Sequence, residues 1–590
     1  MALGALNLSR RAAAARQKSG EQPGLAFRTA WGNLRRVEGG DIIKRLKPWG
    51  GAVLAGLVWT LAFPHAALAL AGWLAPALLV ALCHGPRLRR VFALGYVAGL
   101  AQGLSSLYWV LLIPYPPGAV AGWLALSAYC ALYPAVWVWF CWWRFPARDV
   151  SGLAEVWLRL RHLPWRDRIL WPLQCALGWV ALEQLRGWLL TGFPWNYLAH
   201  SQLDLMPLAL VASLTGVLGV SLLVAWGSMS FLVATTGSVH LRGRERWRRM
   251  GLDAGPVLGF MVVLLGLAWW QVEAWEKQLK PRGTVRIAMV QPSIPQQVIW
   301  ESYGSRERMI ERWELLRELT IEAARMEPDV IIWPEASAPL SATRDANGGV
   351  ELYPIDELAR TLGVPMIVGA DEAVLDRQGN RRMARNSCFH LDANGTLQAS
   401  YSKQHLVMFG EYVPFGELLP FLKKLAPVGT FTAGEGPVLF DLGGVKVAPV
   451  ICFEDVLPSL VRRAAVEEAD FILNLTNDGW FGESNQQWQH ARAAAFRAIE
   501  TGRPLVRCTN NGLTCWVDWR GRIHRLEKGS IYEKGVRIME LPVMDAAGAG
   551  ATFHQRTGDW LGWACVLASG AFAAARWRPK KDSAGEADMA

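Results

Sequence analysis

Charge is scarce in this chain. Asp, Glu, Lys and Arg make up 19% of its 590 residues, against about 25% in an ordinary soluble protein. That shortfall, beside 52% hydrophobic residues, speaks against one soluble globular unit. Metal-site spacing is missing too: none of the nine Cys forms a CxxC pair, and no Cys/His cluster has ligand spacing, so zinc is not expected. Basic residues are not interleaved with stacking aromatics on one folded surface, as a nucleic-acid interface requires. The start, MALGALNLSRR, holds only a fragment of the continuous apolar core of a cleavable signal peptide. Internal repeats and low-complexity blocks are absent.

What is abundant points to a bilayer. The 31 Trp exceed what a core needs, and Trp favours membrane interfaces, where its ring is buried and its N–H stays wet. Apolar runs fall near 48–64, 66–83, 91–113, 119–143, 169–190, 207–235 and 255–273, with a last one near 559–575. Basic residues gather in the tail (Arg10, Arg11, Arg35, Arg36, Lys44, Arg45, Lys47), at 87–90, 144–168, 242–249 and 576–581. With the N terminus inside, the positive-inside rule puts these segments in the cytoplasm and the segment after the seventh span outside. The loops PYPPG at 114–118 and 191–206 contain no Lys or Arg. The expected domains are a basic cytoplasmic tail at 1–46, a transmembrane helical domain at 47–275 and an extracytoplasmic domain at 283–545. A closing helix with a basic cytoplasmic tail takes 546–590. Within the fifth span, Glu183 and Arg186 stand at i, i+3, either as a structural pair or as a functional site. The following TGFPWNYLAHSQ is a candidate lipid entrance.

From 283 to 545 the texture becomes that of a water-soluble α/β unit. Strands are predicted at 285–291, 329–335, 364–370, 386–392, 396–403, 445–454, 469–478 and 504–510, with helices at 305–325, 457–468 and 486–501. Three chemically distinct residues end such strands: Glu335 in IIWPEAS, Lys403 in YSKQHLVMFGEYVPF and Cys452 in APVICFED. Together they are what a cysteine nucleophile needs: a carboxylate to take its proton and an ammonium to steady thiolate and oxyanion. Carboxylates beside Cys452, Glu454 and Asp455, would raise a thiol's pKa, so a compensating cation is required. Cys508 and Cys515 flank the turn pair Asn511-Gly512, which would set them opposite each other either as a disulfide or as two buried thiols. The run 409–433, with Phe409, Tyr412, Phe415, Leu418, Leu419, Phe421 and Leu425 between Pro and Gly breaks, is either a lid over the site or a packed loop.

WPEAS, SKQHLVMFGEYVPFG, ICFED and LNLTNDGWFG resemble the nitrilase superfamily, which implies an αββα sandwich with a Glu-Lys-Cys triad. Combined with the preceding spans and one following span, they resemble the apolipoprotein N-acyltransferase family across about 48–576. The resemblance implies Glu335 as general base, Lys403 as oxyanion and thiolate stabiliser and Cys452 as nucleophile, with Glu411 and Glu454 orienting the lysine and shaping the pocket. It further implies Trp300 as a substrate-contacting aromatic on a mobile loop; Phe453, Phe415 and Trp480 join it as substrate-binding candidates. Phe453 stands where many relatives carry Tyr. The implied partners are a phospholipid acyl donor, a diacylglyceryl apolipoprotein acceptor and the inner-membrane bilayer, with no cofactor and no nucleic acid. A monomer is expected for want of an oligomerisation motif. The competing expectation is a membrane-anchored nitrilase-type amidohydrolase that uses water as acceptor.

Overall fold

A computed structural model describes residues 46–577 apart from 86, 148–152, 415, 417, 419, 421–429, 467, 527–529, 546, 547 and 549. Phe415, Leu419, Phe421 and Leu425 of the expected lid therefore lie outside the described residues, as do the N-terminal tail and the end of the C-terminal one.

Helices occupy the apolar runs: 46–60, Ala69–Leu82, Leu88–Ser106, Pro116–Arg144, Trp165–Arg186, Val217–Ser238, Gly243–Glu276 and Trp560–Trp577. Among the described residues, three of these are long and apolar enough to cross a membrane: Pro116–Arg144, Val217–Ser238 and Gly243–Glu276. Only 11% of the most apolar window of Gly243–Glu276 is buried, so its apolar side needs lipid around it. Small residues let the bundle close: a Cβ on Gly99 would stand 2.7 Å from the Cα of Ala131.

The run 207–235 does not form one span. Short helices Met206–Ala209 and Ala212–Thr215 precede Val217–Ser238, and Gly216 turns the chain between them with φ +70°. The His554 ring packs against Gly216, leaving a Cβ only 2.7 Å of room. Apolar composition cannot register such a break, because a kinked and a straight helix bury the same residues. Nor is 191–206 an open entrance. Trp195, Tyr197, Leu198, Ala199 and His200 are buried, and the loop is held by the intramembrane charges. Glu183 Oε1 accepts from Leu198 N (2.7 Å) and Trp179 Nε1 (2.9 Å), while Arg186 donates to Trp195 O (2.9 Å).

Two sheets make up the catalytic half. The first joins β1 (Pro281–Gln291), β2 (Val330–Ile332), β3 (Ala342–Arg344), β4 (Val350–Glu351), β5 (Met366–Leu375), β6 (Arg381–Leu391), β7 (Leu397–Ser402) and β14 (Gly535–Met544). The second runs in the order β13 (Ile523–Arg525), β12 (Cys515–Val517), β11 (Leu505–Thr509), β10 (Phe471–Thr476), β9 (Val445–Ile451), β8 (Phe440–Leu442). Period-two alternation decides the layering. Ile287, Met289, Ile332, Val447, Ile451, Leu473, Leu475, Val506 and Cys508 fill the space between the sheets. Their neighbours Ala288, Val290 and Ile331 face the helices Arg306–Ala324 and Ile355–Leu362. Ala448, Val450, Ile472 and Leu505 face Pro458–Ala464 and Gln486–Thr501. The result is the expected αββα sandwich. Its second helix layer shares one continuous apolar core with the membrane helices, so the catalytic half is docked on the bundle rather than tethered to it.

The same alternation separates Cys508 from Cys515. Cys515 pairs with Arg507 in the ladder, and Cys508 points between the sheets, its thiol donating to Ile332 O at 3.5 Å. The two sulfurs lie on opposite faces of one sheet, which leaves no geometry for a disulfide.

Candidate active site

Three strand ends meet at one buried cluster. After β2, Glu335 enters a turn continued by Ala336 at φ +46°. That turn presses so closely on β5 that a Cβ on Gly369 would come 2.2 Å from Pro334 O, so only glycine fits there. Lys403 follows β7 and is 1% exposed. Its Nζ donates to Glu335 Oε1 at 3.2 Å and Glu411 Oε1 at 3.0 Å. Burial alone would push the ammonium's pKa down, but the carboxylates of Glu335 and Glu411 outweigh it and hold the pKa well above the usual lysine value. Lys403 is therefore a fixed cation, not a base.

Cys452 begins a turn at the end of β9 with φ +55°, a conformation that costs a non-glycine residue on the order of 1–3 kcal/mol. The side chain of Asn474 secures it: Oδ1 accepts from Cys452 N (3.1 Å) and Nδ2 donates to Cys452 O (3.0 Å). Burial and then Glu335 push the thiol's pKa well up, with Lys403 pulling it down. Of the carboxylates near it, Glu335 bears most strongly on the Cys452 thiol.

The remaining expected residues fall around this centre. Glu411 ties Lys403 to the next loop, its Oε2 accepting from Val407 N at 2.8 Å. Glu454 does not reach the lysine's ammonium; it joins the strand ends of β7 and β9. Its Oε1 accepts from Gln404 N (2.7 Å) and His405 N (3.0 Å), its Oε2 from Ile451 N (2.7 Å) and Tyr401 Oη (2.9 Å). Burial pushes its pKa up to about 7 against those hydrogen bonds. Because all four partners donate, Glu454→Gln must turn an amide NH2 toward donors. It is expected to destabilise the fold by about 1–3 kcal/mol, read as a lowered unfolding midpoint in detergent. An unchanged midpoint would show that the carboxylate is not the tie described.

Trp300, on the helix Gln296–Ser302, meets Trp480 edge to face at 5.3 Å. Phe453 stacks at 6.2 Å on both Phe193 and Trp195 of the membrane loop and at 6.1 Å on His405. An aromatic wall thus runs from the helical bundle to the residue beside Cys452.

Sequence reading missed the amides. Asn386 Nδ2 donates to both Glu335 Oε1 (2.8 Å) and Glu411 Oε1 (3.0 Å), and Asn477 N donates to Glu335 Oε2 (2.9 Å). The signal was present in ADFILNLTND, where Asn474 and Thr476 interrupt an otherwise apolar strand on one face. No group of three or more His, Cys, Asp or Glu among the described residues is placed to hold a metal ion.

Two family profiles match the chain: Carbon-nitrogen hydrolase over residues 286–548 and Apolipoprotein N-acyltransferase N-terminal domain over 55–230. It is similar to the apolipoprotein N-acyltransferase of Geobacter metallireducens, 32% identical over 539 residues that cover 90% of this chain and 95% of the relative. To that of Vibrio vulnificus it is 31% identical, covering 92% and 99%. Among solved structures, a mutant amidase from Nesterenkonia sp. AN1 aligns at 19% identity with a TM-score of 0.33, covering 48% of this chain and 98% of that one.

Proposed function

The chain belongs to the apolipoprotein N-acyltransferase family, and from that membership we propose that it moves a phospholipid acyl chain to an apolipoprotein amine through a thioester on Cys452. The observation that carries the lipid substrate is the aromatic wall. The residue next to the thiol stacks on Phe193 and Trp195 and packs on the apolar core of the bundle, so the sulfur lies beside an apolar surface continuous with the membrane helices.

The chemistry proceeds in two halves. Glu335 takes the thiol proton as Cys452 Sγ attacks the sn-1 ester carbonyl of the phospholipid. Lys403, with the backbone N–H near Phe453, stabilises the oxyanion. The C–O bond breaks, and the lysophospholipid alkoxide leaves with the proton held by Glu335. The α-amine of a diacylglyceryl-cysteine then attacks the thioester, Glu335 accepts its proton, the amide forms and the thiol is restored. This would be the last step of bacterial lipoprotein maturation. In this reading Trp300, Trp480 and Phe453 contact the acyl and glyceryl groups, with Phe415 a candidate on the adjoining run.

A periplasmic catalytic domain in the bacterial inner membrane is supported by the position of the basic segments. Arg249 donates to Arg161 O at 2.8 Å, Arg168 pairs with Asp253 at 2.8 Å, and Arg144 reaches Phe572 O at 3.1 Å. These ties gather the Arg-rich segments and the C-terminal part of the helix Trp560–Trp577 together. Trp109, between the helices Leu88–Ser106 and Pro116–Arg144, and Trp195, in 191–206, bond Gln489 of the catalytic half, and neither 107–115 nor 191–206 contains Lys or Arg. The working division is a helical unit at 47–275, a catalytic unit at 283–545 and a closing helix with its tail at 546–590, acting as a monomer.

Intact-protein mass spectrometry of enzyme incubated with phosphatidylethanolamine tests the proposal. A hydroxylamine-labile acyl mass should appear and be discharged by a diacylglyceryl peptide with a free N-terminal amine. Enzyme that stays unmodified while releasing ammonia from small amides would instead establish an amidohydrolase.

A further inference from the structure

Behind the nucleophile lies a second buried charge cluster that the transfer steps do not use. Asp455 sits three residues after Cys452 in the same turn, Asp478 opens the turn Asp478–Phe481 after β10, His490 comes from Gln486–Thr501 and Arg507 from β11. All four are at most 1% exposed. His490 Nε2 lies 2.8 Å from Asp455 Oδ1, and Nδ1 lies 2.9 Å from Asp478 Oδ1. A ring nitrogen facing a carboxylate oxygen must carry hydrogen, and here both do, so the ring is an imidazolium. Arg507 pairs with Asp455 and reaches Asp478 Oδ2 at 3.5 Å. Gln486 adds a neutral donor to Asp478 at 3.1 Å, and the Trp195 ring covers the imidazole at 5.6 Å. Two cations thus cancel two carboxylates.

The cluster acts on the thiol. Asp478 is among the groups that raise the pKa of Cys452, and Arg507 interacts electrostatically with the same sulfur. Glu335 and Lys403 face Cys452 from the other sheet. Removing the imidazolium's charge would leave one uncancelled carboxylate behind the nucleophile, opposing thiolate formation.

We propose that His490 is a positioning residue for acyl transfer: it locks the nucleophile turn to the Asp478 turn and supplies the charge that keeps the space behind Cys452 neutral. Its neighbour extends the lock to the bundle. Gln489 Oε1 accepts from Trp195 Nε1 (2.7 Å) and Trp109 Nε1 (3.1 Å), and Nε2 donates to Ser106 O (3.2 Å). One helical turn therefore registers the nucleophile against the membrane helices. Burial works against the charge on His490, but Asp455 and Asp478 outweigh burial and Arg507, raising its pKa to about 9. A folded pKa above the ordinary histidine value means that this stabilisation is complete below about pH 6.5 and is lost as pH rises through about 9.

The inference rests on Cys452 being the reactive thiol, and iodoacetamide alkylation of the full chain in detergent, followed at the Cys452 peptide, tests both. His490→Asn should slow alkylation at a fixed pH near neutrality by about tenfold, the equivalent of one pKa unit. Asp478→Asn should accelerate it, because a net positive cluster then lies behind the sulfur. The double variant should return to within about threefold of the wild type. A His490→Asn protein that alkylates like the wild type, or a double variant slower than His490→Asn, would reduce His490 to scaffolding. If His490→Asn does not fold, the sign of the Asp478→Asn effect decides alone. Wild-type protein left unalkylated at Cys452 would remove the nucleophile assignment, and this inference with it.

Discussion

Cys452→Ser is expected to lower acyl transfer by on the order of 10⁵-fold or more, as loss of a nucleophile does in other enzymes that form acyl intermediates, and to show no acyl mass with phospholipid. The substitution is nearly isosteric and leaves the backbone clamp intact, because Asn474 bonds the amide and carbonyl of residue 452 rather than its side chain. What changes is acidity. A serine hydroxyl is far harder to ionise than a thiol, and the carboxylate of Glu335 is too weak a base to compensate. Lys403 pulls the thiol's pKa down, but the same field cannot close the much larger gap to a serine alkoxide. Transfer to a diacylglyceryl peptide, with unfolding midpoints measured alongside, gives the comparison. A folded serine variant that transfers within tenfold of the wild type would mean that Cys452 is not the acyl carrier.

Lys403→Met should have the second large effect, on stability as well as rate. Among the described residues, the ammonium is the one cation bonded to both Glu335 and Glu411, and all three side chains are buried. Breaking a buried ion pair by removing one partner costs about 3–5 kcal/mol, since the stranded charges cannot be rehydrated. Catalysis should fall to background because the oxyanion loses its cation. These effects can be separated: adding Glu411→Gln removes one stranded carboxylate and should recover part of the midpoint without recovering transfer. Recovery of both would show that Lys403 only holds the fold. Loss of neither in the single variant would discard its catalytic role.

The candidate site was legible in sequence because it sits where local patterning is strongest. Glu335, Lys403 and Cys452 each end a β-rich run, and strand ends are where an α/β scaffold exposes functional groups. Most strands appeared close to where they were predicted. The short β3, β4, β8, β12 and β13 did not, because two or three residues carry too little alternation to register, and the ten-residue β14 was not predicted either. The predicted strand 445–454 stops at Ile451, where Cys452 adopts a left-handed backbone that composition does not reveal.

By itself the sequence determined the apolar spans, the alternating strands and the three residues at their ends, since each is a periodicity or composition read over neighbouring residues. Only the tertiary structure decided which distant groups meet. It turned Glu183 and Arg186 toward the 195–198 loop, put Cys508 and Cys515 on opposite sheet faces and broke the sixth apolar run at Gly216. It also assembled Asp455, Asp478, His490 and Arg507 from four separate segments. Contacts between residues far apart in the chain depend on how sheets and helices stack, and side chains that pair only across such an interface leave no period behind them.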